Sequence, residues 1–477
     1  MQRRYADDTD SPIALTAMPG DGAPPYVTVL SRLQQEAGKR FQAFELRNPT
    51  EAVEGWLRER GRALIGEHND LAVTASEPQI EGDIDEIVRR MISEIIGLGG
   101  IEDLLLLDGV EDIAVNGPNE VCVKRFGRWE FHPEVIYPDS QSLLNRLNHW
   151  IAHTGRQAGP LLPIVDAHLQ SGHRINIVTS PIAEPWPVAV IRKRGEAGLT
   201  MMDLVQRGGG ARGKPEPVKI PRYWESATSD GVFTGTAAFF LHMAVAAGMN
   251  ILVVGATGVG KTTLLGALGK MIPEDRRILV IEDTRELNMR DAEDGRPRNC
   301  VYFTTRAETV EGVKAVAQDQ LVRAALRQRP DALTLGEARG AEVFDLLKAM
   351  WTGHRNGLTS IHAESIAEVP GRIKMMMQEA QLRTGVSDEE VSEWIAKAFH
   401  LGITLRLTSD GRRVVEDLLE FTGIVEGRRP GMNVLFKNDG VTLKLAATRR
   451  ELYHEDMLSL AGYSFNMVME AERRAGD

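Results

Sequence analysis

Cysteine is almost absent: the 477 residues contain only Cys122 and Cys300. Two thiols in such a length cannot staple a fold, which excludes a disulfide framework and makes a reducing, cytosolic compartment the expectation. A basic excess is missing too. The 56 Lys and Arg stand against 67 Asp and Glu, a formal charge of -11, which argues against bulk nucleic-acid binding but permits local basic patches. Met1-Gln-Arg-Arg-Tyr-Ala-Asp-Asp8 lacks the apolar core of a signal peptide, so no export is expected. One stretch, Ala237 to Val254, approaches the length and apolarity of a membrane span, yet it carries His242 and Asn250 and runs straight into a glycine-rich loop. A helix followed by a buried strand is the expectation there, and a soluble chain with it. Internal repeats and long low-complexity tracts are also lacking.

What is present is an ordinary globular composition, 43% hydrophobic and 26% charged, at a length that suits two or three domains. Residues 1–25 mix Asp, Pro, Gly and Ser with few apolar positions and read as a flexible leader. From 26 to 98 the apolar residues recur at three-four spacing, as in Ile84, Ile87, Val88, Met91, Ile92 and Ile95, so amphipathic helices are expected, the last stopping near Gly97. Residues 99–206 alternate short strands with a helix over Gln141–Thr154, a compact α+β unit with turns at Asn116-Gly117 and Gly127. A Gly/Pro-rich basic linker over 207–230 separates it from 231–436, where strands alternate with helices as in a parallel sheet. Residues 437–477 read as a tail with one more strand and a helical run over Arg449–Arg474.

The chemistry centres on Gly255-Ala-Thr-Gly-Val-Gly-Lys261-Thr262. Glycines at this spacing let successive backbone N–H groups turn onto phosphate oxygens, the lysine reaches the β and γ phosphates, and Thr262 offers a hydroxyl to Mg²⁺. The run Asn250 to Val254 before it and the Leu264, Leu265, Leu268 spacing after it give the strand, loop, helix order that a phosphate-binding loop requires. The nucleotide-binding set is therefore Gly255, Ala256, Thr257, Gly258, Val259, Gly260, Lys261, Thr262 and Thr263.

Two further strands end in carboxylates. Ile278–Ile281 leads to Glu282-Asp283, with Glu286 beyond, placed to hold a metal ion through water or to polarise the attacking water; a helix N-cap at Asp283 or Thr284 is the competing reading. Ala332–Leu335 closes with Gly336-Glu337, a Walker B pattern with Gly where Asp is usual, so that Glu337 orients the water that attacks the γ-phosphate. Arg323 and Arg327 share a helix face, as phosphate or interface contacts or as a solvated surface. His354 and His362 fit no zinc spacing; a γ-phosphate sensor at the end of the strand Leu358–Ile361 competes with a lone buried histidine.

The succession of the glycine loop, Ile281-Glu-Asp-Thr-Arg-Glu-Leu287, Leu326-Arg-Gln-Arg-Pro-Asp331, Gly336-Glu-Ala-Arg-Gly340, Thr352-Gly-His354 and Ser360-Ile-His-Ala363 resembles the type II/type IV secretion ATPase superfamily, in particular its branch of Tad/Flp pilus and conjugation-type traffic ATPases. The match runs from about Ile96 to Phe436, with short motifs in a highly specific order. The resemblance implies an α/β fold class: a C-terminal RecA-like P-loop domain with a parallel-rich sheet, preceded by a PAS-like α+β domain and an N-terminal helical segment. It implies a bacterial hexameric ring with ATP bound between the two domain types, Mg²⁺ as cofactor, other copies of the chain and inner-membrane platform or channel proteins as partners, and a peripheral position at the inner face of the cytoplasmic membrane. Glu337, Glu286 and Lys261 become the catalytic candidates, Thr262, Glu282 and Asp283 the metal candidates, and His362 the centre of a histidine box. Gly336 in place of Asp is shared with the family. Arg174 and Arg192 match arginines that family members direct at nucleotide phosphates. Three departures stand out: the longer linker, His168 where an arginine is expected, and the segment after 436. The function implied is a secretion motor; a DNA-translocating hexamer and a nucleotide-gated scaffold with little turnover are its competitors.

Overall fold

The computed structural model describes residues 25–42, 45–46, 49–133, 135, 137, 139–194, 232–291, 298–308, 313–382, 385–447 and 452–476, and the chain divides after residue 197 into two compact units. The expected linker over 207–230, and the leader apart from Pro25, lie outside the described residues.

The first unit opens with helices α1 (Pro25–Arg40), α2 (Glu51–Ala75) and α3 (Ile84–Ile96). Their three-four spacing drives Leu33, Leu57, Leu64, Ile65, Val88 and Met91 into a shared core. Gly61 sets how closely α2 approaches α3, because a Cβ there would stand 3.3 Å from Val88 Cγ1. The side chain of Asp83 accepts the N–H groups of Asp85 and Glu86 to start α3, and the helix stops at Gly97 as the sequence implies. After α4 (Gly100–Leu106) come β1 (Val110–Val115), β2 (Val121–Arg125), β3 (Arg128–Phe131), α5 (Ser140–Ile151), β4 (Ile164–His168), β5 (Arg174–Val178) and β6 (Val188–Arg192). The strands form an antiparallel sheet in the order β3-β2-β1-β6-β5-β4. Side chains alternate across it: Ile113, Val115, Val121 and Val123 meet Leu143, Leu147 and Ile151 of α5, while Ala114, Cys122, Trp129 and Val190 form a second cluster.

The second unit carries α6 (Gly235–Ala246), β7 (Ile251–Val254), α7 (Lys261–Lys270), β8 (Ile278–Glu282), β9 (Cys300–Thr304), α8 (Gln318–Arg327), β10 (Ala332–Leu335), α9 (Glu342–Trp351), β11 (Leu358–Ile361), α10 (Val369–Glu379), α11 (Asp388–Ala398), β12 (Leu401–Leu407), β13 (Arg413–Glu426), β14 (Arg429–Asn438) and β15 (Leu443–Leu445). One sheet runs β15-β14-β13-β12-β7-β11-β10-β8-β9, parallel from β12 to β9 and antiparallel through β13, β14 and β15. The parallel strands β7, β8, β10 and β11 are buried along their whole length, which is why they read as unbroken apolar runs. The 237–254 stretch is α6 followed by β7, and among the described residues no helix is long and apolar enough to cross a membrane.

The segment after 436 differs in detail from its sequence reading. The helical run expected over 449–474 is two helices, α12 (Glu455–Leu460) and α13 (Phe465–Gly476), parted where Gly462 takes the left-handed φ of 85°. Phe465 meets Phe240 of α6 edge-on at 5.6 Å between ring centroids, and Phe436 lies 6.0 Å from the same ring. Burying a side chain of this size stabilises by about 1.5–3 kcal/mol, so the segment closes the core of the second unit.

Candidate functional site

The carboxyl ends of β7, β8, β10 and β11 open on a cleft of about 780 Å³, the edge at which open parallel sheets hold their ligands. Its floor is the glycine loop between β7 and α7. Gly255 is needed there by close approach, since a Cβ would meet the Leu405 carbonyl oxygen at 2.6 Å, and Gly260 takes a φ of 101° to turn the chain into α7. Residues 257–263 line the cleft, and the helix start aims free N–H groups and partial positive charge into it.

Lys261 begins α7. Its Nζ donates to the carbonyls of Gly255 and Ala256 and to His362 Nδ1, each at 3.0 Å. Burial holds the ammonium below the ordinary lysine range, with Glu337 opposing the shift. Burial, then the Lys261 charge, likewise keeps His362 below the ordinary histidine range, so the ring is neutral at pH 7. Because Nδ1 accepts from Lys261, the ring proton belongs on Nε2, which lies 2.5 Å from Glu337 Oε1, a close contact without hydrogen-bond alignment. The other oxygen of Glu337 accepts from Arg339 at 2.5 Å, and Arg339 stands 3.9 Å from Asp283. A single chain of alternating partners thus runs Lys261, His362, Glu337, Arg339 along one wall. Of the two histidines weighed from sequence, His362 is here; His354 lies at the amino ends of the strands, outside this cleft.

Glu282 ends β8 and is buried, which raises its carboxyl above the usual range; Oε1 accepts the backbone N–H of Glu286 at 3.2 Å and of Leu287 at 3.1 Å. The N-cap alternative falls away, because no helix starts at Asp283 or Thr284; the carboxylate of Glu282 shapes a loop instead. Asp283 accepts from Thr305 at 3.2 Å and from Gln318 at 3.0 Å, and with Glu286 it faces the cleft. The position of Glu282 also explains Gly336: a Cβ on residue 336 would stand 3.1 Å from Glu282 Cγ, so the buried carboxylate of the neighbouring strand fills the space an aspartate would need.

The structure therefore gathers the loop, Thr262, Glu282, Asp283, Glu286, Glu337 and His362 around one cleft. Arg323 is tied by ion pairs to Asp319 and Asp345. Arg174 and Arg192 belong to the other unit, exposed and directly opposite each other on β5 and β6, with His168 beside Arg174 and Asp112 beside Arg192 in the same row. Several cleft residues carry no signal of their own in the sequence: Arg339, Gln318, Phe233 and Arg413, whose Nε donates to the Gly258 carbonyl at 3.3 Å. Arg339 lies two residues beyond Glu337 in Gly336-Glu-Ala-Arg-Gly340, whereas Arg413 comes from a strand 155 residues away in sequence.

Comparison with known proteins agrees with this geometry. The family model described as type II/IV secretion system protein matches residues 227–409. The type IV secretion system protein PtlH of Bordetella pertussis is 34% identical over 272 residues, which are 54% of this chain and 76% of that protein. The type IV secretion system protein VirB11 of Brucella suis is 30% identical over 272 residues, 56% of this chain and 73% of that protein. Among solved structures, the VirB11 ATPase of Brucella suis in complex with sulphate superposes with a TM-score of 0.54 at 24% identity, over 68% of this chain and 96% of that one, a likeness of fold.

Proposed function

The chain belongs to the type II/IV secretion system protein family, and from that premise we propose that it is an ATP-hydrolysing motor, a homohexamer that drives pilus assembly or substrate transfer in a secretion machine. The observation that carries this reading is the convergence of Lys261, His362 and Glu337 on one wall of a cleft floored by a phosphate-type loop. Phosphates lie against the N–H groups at the start of α7, and Lys261 exchanges its loop carbonyls for β and γ oxygens. Glu337 then holds the attacking water, and the Nε2 proton of His362 reads the γ-phosphate. Phe233 and Leu405 supply an apolar wall for the base.

Mg²⁺ fits the donor set. It keeps several waters and takes one or two protein oxygens beside the phosphates, and Thr262 and Asp283 offer such oxygens, with Glu282 behind them through water. When bound, the ion neutralises charge developing on the phosphates. Among the described residues no group of three His, Cys, Asp or Glu would cage a metal without the nucleotide's help. Arg174 and Arg192, which match arginines that members of the family direct at nucleotide phosphates, we assign to phosphate binding as well. Differential affinity for ATP and product between two domain arrangements would power the motor, acting on inner-membrane platform or channel proteins from a peripheral position on the cytoplasmic face.

The test is steady-state ATP turnover of wild type and Glu337→Gln, with particle mass recorded with and without ATP. We expect a hexamer in which Glu337→Gln keeps nucleotide binding and loses about 10²–10⁴-fold in turnover. Equal turnover in the two proteins removes the role given to Glu337, and no turnover in wild type even with membrane partners leaves the nucleotide-gated scaffold. Turnover that rises on addition of single-stranded DNA, with salt-sensitive binding, favours the DNA-translocating reading.

A further inference from the structure

A second cleft, of about 270 Å³, opens at the amino ends of the same parallel strands, where Gly248, Arg276, Asp331, His354, Arg355 and Asn356 meet. It shares no lining residue with the nucleotide cleft, and it is smaller than the ~300–1,000 Å³ of pockets for drug-sized ligands. What distinguishes it is unmet polar capacity. Asn356 is 4% exposed and sits in the left-handed region at φ 52°, its N–H donating to the Gly248 carbonyl at 3.0 Å, yet its Oδ1 is buried without a hydrogen-bond partner. Arg276 Nε is also buried without one; the carboxylate of Asp275 stands 3.6 Å away. Arg355 lays its stem across Gly248, with its Cδ 3.3 Å from where a Cβ would be.

We propose that this cleft binds a small oxyanion of the phosphate-monoester type. Two guanidinium groups line it, one of them with a buried Nε that lacks a hydrogen bond, and arginine meets phosphoryl oxygens with paired N–H donors. Asn356 Oδ1 asks for the opposite, a hydrogen-bond donor. A carboxylate ligand brings no donor. The monoanion of a phosphate monoester carries both, free oxygens and a P–OH group, and although the dianion predominates at pH 7, it is the monoanion that matches the lining where a carboxylate leaves Asn356 unsatisfied. The phosphoryl group comes either from solution or from a lipid headgroup exposed at a membrane surface.

Calorimetric titration of the full chain with inorganic phosphate, in saturating Mg²⁺ and a non-hydrolysable ATP analogue to fill the nucleotide cleft, tests the site. A parallel arm sediments the protein with phosphatidylcholine vesicles with and without phosphatidic acid. Asn356→Asp keeps the size and the left-handed backbone but adds a negative charge, and we expect it to weaken binding at least about tenfold, as Arg276→Gln does by removing a charged donor. Asn356→Gly tolerates the same φ and weakens binding less, because it removes an acceptor without adding charge. Melting in phosphate-free buffer separates loss of the site from loss of the fold. Saturable phosphate binding that follows this order supports a soluble ligand; phosphatidic-acid-dependent sedimentation that follows it supports a headgroup. Absence of both, or binding that Asn356→Asp and Arg276→Gln leave unchanged, overturns the proposal.

Discussion

The two ends of the parallel strands surround their polar groups with different neighbours. At the carboxyl ends Lys261, His362, Glu337 and Arg339 form a linked chain with contacts of 2.5 to 3.0 Å, in a cleft open to solvent. At the amino ends Asn356 and Arg276 leave buried atoms without hydrogen-bond partners, and His400 is half-buried, its Nδ1 accepting the Asn250 N–H at 2.8 Å. Burial pushes His400 down to about 3, helped by His454 and Arg355. Both His362 and His400 stand at strand ends, one just past β11 and one just before β12. Only His362 has a cation on one nitrogen and a carboxylate at the other, so chemistry at a strand end depends on neighbours of opposite sign rather than on the histidine itself.

The largest effect should come from cutting the linked chain at its cation. Lys261→Ala is expected to lower ATP turnover by about 10²–10³-fold, and to free His362 from the charge that lowers its basicity, so that its NMR titration midpoint rises toward the ordinary histidine range. A midpoint that stays put would break the link between the two residues. At the other end the expected signature is in stability. His400 titrates in the folded state at about 3 against 6.5 for the ordinary side chain, so between those values the unfolded chain binds the extra proton. Its contribution is complete above pH 6.5 and is lost as the pH falls toward 3. Urea unfolding at pH 7 and pH 4 should show wild type losing roughly 3 kcal/mol more than His400→Gln, whose amide keeps an acceptor for the Asn250 N–H. Parallel losses would mean that His400 is not the group that distinguishes the amino ends.

Replacing Gly336 sharpens the comparison at the carboxyl ends. Gly336→Asp restores the residue usual before a Walker B glutamate, yet its Cβ would press on Glu282 Cγ at 3.1 Å and set a second carboxylate beside a buried one. We expect a stability loss of about 1–3 kcal/mol with lower turnover, read from thermal melts and steady-state rates. Higher turnover would show that the aspartate has room after all.

Gly336 also shows where the sequence was legible and where it was not. The apolar strands were plain, because burial on both faces removes the alternation that makes other strands ambiguous, and the loop was plain because its residues are contiguous. Glu337 and His362 could be assigned to strand ends for the same reason. The side chain that crowds position 336 is Glu282 on another strand, and no local pattern encodes it. Glu282 was expected to hold a metal ion through water or to polarise the attacking water, and what the sequence did not display is that its Oε1 also accepts the amides of Glu286 and Leu287. The break in the last helical run is a local stop at Gly462, whereas the packing of Phe465 on Phe240 depends on a partner more than 200 residues away. Pairings between distant segments decide the crowding and the packing, and a single sequence does not display them.

Arg413 is the clearest product of such a pairing and carries the smallest expected effect. It opens β13, lies exposed across the glycine loop with its Cδ 3.4 Å from the place of a Cβ on Gly260, and reaches the Gly258 carbonyl at 3.3 Å. A solvent-exposed cation in this position gains little per contact, about 0–1 kcal/mol, so Arg413→Ala should raise KM for ATP a few-fold and leave kcat alone, as loss of uniform binding does. Unlike Lys261, Arg413 takes no part in the chain that ends on Glu337, and that separation predicts the split between the two constants. A fall in kcat at unchanged KM would instead place Arg413 on charge that develops only in the transition state, and the cleft would then have a working cation on each side of the phosphates.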